Sequence, residues 1–196
     1  MFSQFRGIII VAVLGFVVIA MFASPRGAQS VDMGQVLDRT EFALTQFEGH
    51  LDENKITEVS DNQVDQFSGY LTDVLNSEPR FHSAAFGINV QPDAKFLGFE
   101  DANDNGVKDD SETDLFTVEI DEANNRLIGT DMSGNSTGMG FSGSGFLTGM
   151  LIGNLLSRQR SAGVTANSFN NRSVAPRSSY RAPSTSARSG GLRAGK

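Results

Sequence analysis

The 196-residue chain contains no cysteine, and that absence closes several chemistries at once. Disulfides, thiolate metal sites, a cysteine nucleophile and a lipid-modified cysteine anchor are all excluded, although the compartment is left open. Histidine is scarce too. His50 and His82 are the only two, and neither has a patterned serine, acid or second histidine beside it. H-E-x-x-H is missing. Both histidines therefore read as surface or capping residues, and no enzymatic reaction is expected. The competing reading is an envelope hydrolase whose site is assembled in space from scattered polar residues.

Acidic residues are missing beyond Asp131. All 23 lie at or before it, with eight basic residues, a balance of −15, while the remainder carries eight basic residues and no acid. The formal net charge of −7 thus averages two chemically different pieces. A hydrophobic content of 39% suffices for one modest core, not two large ones.

Long apolar runs are confined to residues 7–23, GIIIVAVLGFVVIAMFA, preceded by Arg6 and followed by Pro25 and Arg26. At 17 residues this is the short end of a membrane-spanning helix. A cleaved signal peptide is the alternative, because Ala28-Gln29-Ser30 offers a small-x-small cleavage pattern. Either way residues 1–30 target the chain. The expected result is a single-pass membrane protein whose main domain faces a periplasmic or extracellular space.

Residues 31–131 read as an acidic α+β domain. Asp32 with Gln35 resembles a capping box, and Val36, Leu37, Thr40, Ala43, Leu44, Phe47 and Leu51 then form one helical stripe. Ser60 with Gln63 repeats the signal before Val64, Phe67, Leu71, Val74 and Leu75, and this helix must end before Pro79. Beyond Arg80 the period changes to two, with strands expected at residues 84–90, 95–100, 115–120 and 126–130. The sum is two helices packed on a four-stranded antiparallel meander.

Between the second and third strands lies residues 101–112, DANDNGVKDDSE. Oxygen-bearing side chains fall at loop positions 1, 3, 5, 9 and 12, glycine at 6, and a backbone carbonyl is due at 7. A hard cation that takes six to eight oxygens needs one short loop to present them together. Asp101, Asn103, Asn105, Val107, Asp109 and Glu112 are the candidate metal ligands, with Ca2+ as the ion. The loop resembles an EF-hand, and more closely the strand-flanked loops of bacterial surface calcium modules. Position 8 departs from the paired-helix pattern, since Lys108 stands where an aliphatic residue is usual, and a second loop is missing. The resemblance implies an isolated structural site with dissociation constants of about 10⁻⁴ to 10⁻³ M, a range suited to extracellular modules.

Residues 132–156 form a glycine-rich segment in which Gly145, Gly149 and Gly153 make consecutive GxxxG steps. Its apolar part covers about half a bilayer, so a peripheral, re-entrant or partner-packing role is expected rather than a span, with a glycine-zipper membrane oligomer as an alternative. Residues 157–196 read as a disordered Ser/Arg tail. Its cations, Arg158, Arg160, Arg172, Arg177, Arg181, Arg188, Arg193 and Lys196, suit an anionic envelope polymer or lipid. Nucleic acid is not expected, because the charges are spread and Phe169 and Tyr180 are too sparse to stack bases. The functional expectation is a membrane-anchored calcium-binding scaffold.

Overall fold

The computed structural model describes residues 31–141 and 146–177. The chain divides into two units, residues 1–30 and 31–196, and the expected membrane segment at residues 7–23 lies outside the described residues. Among the described residues no helix is long and apolar enough to cross a membrane.

Helix α1 spans Met33–Glu53 and α2 spans Asp61–Asn76, both started by the signals read from sequence. Asp32 accepts the Gln35 N–H at 3.1 Å, and Ser60 pairs reciprocally with Gln63. The buried positions of α1 are Met33, Gly34, Val36, Leu37, Thr40, Ala43, Leu44, Phe47 and Leu51; those of α2 are Val64, Phe67, Leu71 and Leu75. These stripes meet each other and the sheet, α1 lying against β4 and α2 against β1.

Strands β1 (Phe86–Val90), β2 (Phe96–Glu100), β3 (Asp114–Asp121) and β4 (Arg126–Asp131) follow the alternating segments closely. Phe86, Phe96 and Phe116 turn toward the helices. An edge-on contact joins Phe86 to Phe116 at 5.7 Å, while Phe67 of α2 lies 5.6 Å from Phe96 and 5.5 Å from Phe47 of α1. One aromatic seam thus ties both helices to the central strands, and each ring contact adds about 0.5–1.5 kcal/mol beyond area burial. A side chain on Gly98 would run into the Phe116 ring opposite, which is why β2 carries glycine there.

The expected four-stranded meander is corrected to a six-stranded mixed sheet of order β1-β2-β3-β4-β5-β6. Strand β5 (Ser136–Gly140) pairs antiparallel with β4, and β6 (Val174–Pro176) pairs parallel with β5. Glycine-rich sequence hides β5, because it has little intrinsic strand preference. The tight turn at Asp131 supplies the strand: Asp131 accepts the N–H groups of Ser133 and Asn135 at 2.9 Å each, returning the chain alongside β4.

A disordered tail beginning at Ser157 is likewise corrected. Helix α3 runs Met150–Ser161, a short α4 runs Asn167–Asn170, and β6 follows. Leu151, Ile152, Leu155 and Leu156 join the main core, giving the polar sequence after Ser157 an anchor that local composition does not reveal. Its arginines are also used internally. Arg158 pairs with Asp61, Arg160 with Glu122, Arg172 with Glu119 and Arg177 with Asp38. Residues 178–196, with Arg181, Arg188, Arg193 and Lys196, lie outside the described residues.

Two polar devices lock the helices. Arg39 of α1 caps the end of α2: its Nη1 lies 2.9 Å from Val74 O, 3.1 Å from Leu75 O and 2.7 Å from Ser77 O, and Nη2 donates to Pro79 O at 2.6 Å. A cation there meets the free carbonyls of the helix terminus. Glu48 does the converse for α3, whose N-cap Gly149 has no capping side chain. Its Oε1 accepts the Ile152 N–H at 3.0 Å, and a side chain on Gly149 would displace the carboxylate.

Burial pushes the Glu48 carboxyl above its ordinary value of 4.5, opposed by hydrogen bonds from Ile152, Met150 and Leu151 N–H and reinforced by Asp52. A raised folded value means its stability contribution is complete below 4.5 and is lost as pH climbs from there through the higher folded value. The melting temperature of Glu48→Gln, which stays neutral, should therefore gain on wild type between pH 4 and pH 7, as thermal denaturation at the two pH values will show. Arg39→Leu should lower stability by about 1.5–3 kcal/mol, the worth of charged hydrogen bonds, with Arg39→Lys recovering only part in urea denaturation.

Candidate metal-binding loop

The twelve-residue loop closes the β2–β3 hairpin. Its ends are pinned by backbone bonds, Glu100 N–H to Thr113 O at 2.9 Å and Asp101 N–H to Ala85 O at 3.0 Å. Between them the chain must fold back on itself while carrying acids at 100, 101, 104, 109, 110, 112 and 114. Sharp reversal is provided by left-handed backbone at Asp104 (φ 54°) and Gly106 (φ 72°).

The outer ligand positions are the buried ones, Asp101 at 6% and Glu112 at 8% exposure. Asp101 Oδ1 accepts the Asn105 N–H at 3.0 Å, and Oδ2 accepts the Gly106 N–H at 2.8 Å. Glu112 reaches back across the hairpin, Oε1 accepting the Ala102 N–H at 2.9 Å and Oε2 the Asp109 N–H at 3.0 Å. Carboxylates bonded in this way stay buried because backbone donors replace their hydration. Asp109 Oδ2 accepts from the Asn103 amide at 2.7 Å and from the Asn105 amide at 3.5 Å, while Asn103 and Asn105 accept the N–H groups two residues on.

Of the five side chains expected at positions 1, 3, 5, 9 and 12, those of Asn103 and Asn105 therefore bond Asp109, while those of Asp101 and Glu112 bond the loop backbone. The Val107 side chain is 62% exposed, leaving its role as a backbone donor only. Among the described residues no three His, Cys, Asp or Glu side chains stand close enough to form a preformed cage. The physical reason is visible in the bonding, since Asp101 and Glu112 point at backbone donors and Asp109 at two amides. All the donors are nevertheless oxygens from carboxylates and amides, the chemistry that calcium takes.

Sequence reasoning left Lys108 as a departure from pattern, and the structure gives it a position. Its Nζ donates to Glu112 O at 2.7 Å and Asp109 O at 3.1 Å, stands 3.4 Å from Asp114 and lies 5.9 Å from the Phe99 ring centroid. This one cation braces the carbonyls at the end of the loop. Gly106, Val107 and Lys108 also wall a groove of about 610 Å³ shared with Ser68 and Thr72 of α2 and Ile88 of β1. No sequence signal marks that groove, because three separate elements create it.

His50 on α1 is exposed and 3.1 Å from the Asn54 amide, while His82 stacks on Phe86 at 4.9 Å. Burial pushes the His82 pKa down, with Glu100 partly opposing.

Comparison of the chain with protein-family profiles, curated proteins and solved structures finds no match.

Because Asp101 holds two loop amides, Asp101→Ala should speed hydrogen exchange at Asn105 and Gly106 even in the absence of metal. Asp110→Ala, a change at an exposed position, should leave both amides as protected as in wild type.

Proposed function

We propose that this protein is a membrane-anchored envelope scaffold that binds calcium through residues 101–112. The observation that carries the reading is that Asn103 and Asn105 bond Asp109 while Asp101 and Glu112 bond the backbone of the same short loop, so that all five oxygen donors are held on the β2–β3 connection. A calcium ion would be held by these side chains and the Val107 carbonyl. It would relieve mutual repulsion among the seven acids, each close pair of which costs about 1 kcal/mol in water. Ion binding then braces two central strands and stiffens the loop wall of the neighbouring groove, which suits a partner-contacting role.

The membrane and envelope parts of the proposal rest on residues 7–23 and on the modest affinity that three carboxylates and two amides support. Calcium at that affinity is useful only where it is abundant. The protein performs no reaction in this reading. Residues 181–196 supply cations for an anionic envelope polymer or lipid.

Calorimetric titration of the full chain in detergent should give calcium heat with a dissociation constant of about 10⁻⁴ to 10⁻³ M. Magnesium, which demands tighter octahedral geometry and sheds water reluctantly, should give little. Calcium at ten to a hundred times that constant should raise stability by about 1.4 to 2.7 kcal/mol. Asp101→Asn and Glu112→Gln retain hydrogen-bonding oxygens while losing charge, so they should abolish the heat without unfolding the domain. Unchanged heats in both variants would remove the loop as the site.

A further inference from the structure

β3 starts at the acidic loop and ends at an unrelated cavity of about 340 Å³, one wall of which is Ile120. The floor is apolar, with Ile120 fully buried and Leu156 and Phe169 each 3% exposed. The mouth is charged but balanced, because Arg160 Nη2 lies 2.8 and 2.9 Å from the two Glu122 carboxylate oxygens. Between floor and mouth sits Gln159 on α3.

Gln159 is only 4% exposed, and its backbone carbonyl accepts the Val164 N–H at 2.9 Å. Its side-chain amide makes no hydrogen bond among the described residues, yet no described side-chain nitrogen or oxygen is sealed from solvent without a partner. Both facts hold together when the amide opens into the cavity that it lines. An amide with no protein partner that opens into the cavity can trade bound solvent for a ligand group, so a ligand that completes it gains affinity.

We propose that this cavity binds a small neutral ligand in which an amide adjoins a short apolar group. An amide offers Gln159 both the acceptor and the donor that it lacks. The apolar substituent then meets Ile120, Leu156 and Phe169. An ionised carboxylate or ammonium would lose hydration against an uncharged floor, since Glu122 and Arg160 neutralise each other at the rim. The volume lies near the lower limit for small-molecule sites, which suits one residue of a polymer better than a large cofactor. Two sources share this chemistry, the acetamido group of an N-acetylated amino sugar and an acylated residue of a peptide. The inference does not rest on calcium binding, because the cavity is at the far end of β3, about 20 Å from the loop at 3.4 Å per residue.

Saturation-transfer NMR and calorimetry on the full chain in detergent, using N-acetylglucosamine and N-acetyl-leucinamide as probes, test the assignment. Glucosamine, which lacks the amide, serves as the control. At least one N-acyl probe should bind, glucosamine should not, and the tighter probe identifies the source. Gln159→Leu should weaken binding tenfold or more while keeping or raising the melting temperature, because it removes a polar group that has no partner. Ala166→Trp, at the exposed cavity mouth, should weaken binding with Gln159 intact. Failure of both N-acyl probes, equal binding by Gln159→Leu, or a lowered melting temperature in that variant would overturn the proposal.

Discussion

Two adjacent strands of the central sheet must stay paired across a connection crowded with carboxylates, and this constraint shapes much of the domain. Left alone, the acids between Glu100 and Asp114 would push the hairpin open. The fold answers with directional bonds: Asp101 and Glu112 turn inward onto four backbone N–H groups, and Lys108 holds the carbonyls at the loop's end. Pairing of β2 with β3 thereby survives, and with it the seating of Phe96 and Phe116 in the aromatic seam under α1 and α2. A divalent ion would supply the same compensation more strongly. Structural bracing and the proposed metal binding are consequently aspects of one electrostatic problem.

The helical layer depends on a second kind of charge placement. Arg39 meets the carbonyl end of α2 and Glu48 the amide end of α3, each reaching from α1. Because α1 also packs on β4, these caps make it the part on which the other helices are registered. The C-terminal segment is then fastened by Arg172 to the buried Glu119 and by Arg177 to Asp38. Attraction between the acidic and basic portions is thus spent within the molecule as far as Arg177. Charge available to an outside partner is correspondingly smaller than a simple count implies.

Much of the helix pair, the first four strands and the loop was legible in sequence because each has a short-range cause. Apolar spacing marks α1, α2 and alternating strands, and Asp32 and Ser60 mark the helix starts. The fixed offsets of Asp101, Asn103, Asn105, Gly106, Asp109 and Glu112 mark the loop. β5, α3 and β6 were not legible, since Gly138 and Gly140 have no strand preference and Gly149 carries no capping side chain. Their stability comes from β4, Glu48 and the existing core, all distant in the chain.

Sequence by itself determined the periodicity of the two leading helices and four strands, the sign change in charge after Asp131, and the set of oxygen donors on one loop. These are properties of residues within a dozen positions of one another. Only tertiary structure decided that the sheet has six strands, that the arginine-bearing segment folds through Arg177, and that Gln159 lines a cavity. Each requires side chains far apart in sequence to share one desolvated space, where an ion pair, a cap or an unpaired amide acquires an energy that composition cannot assign.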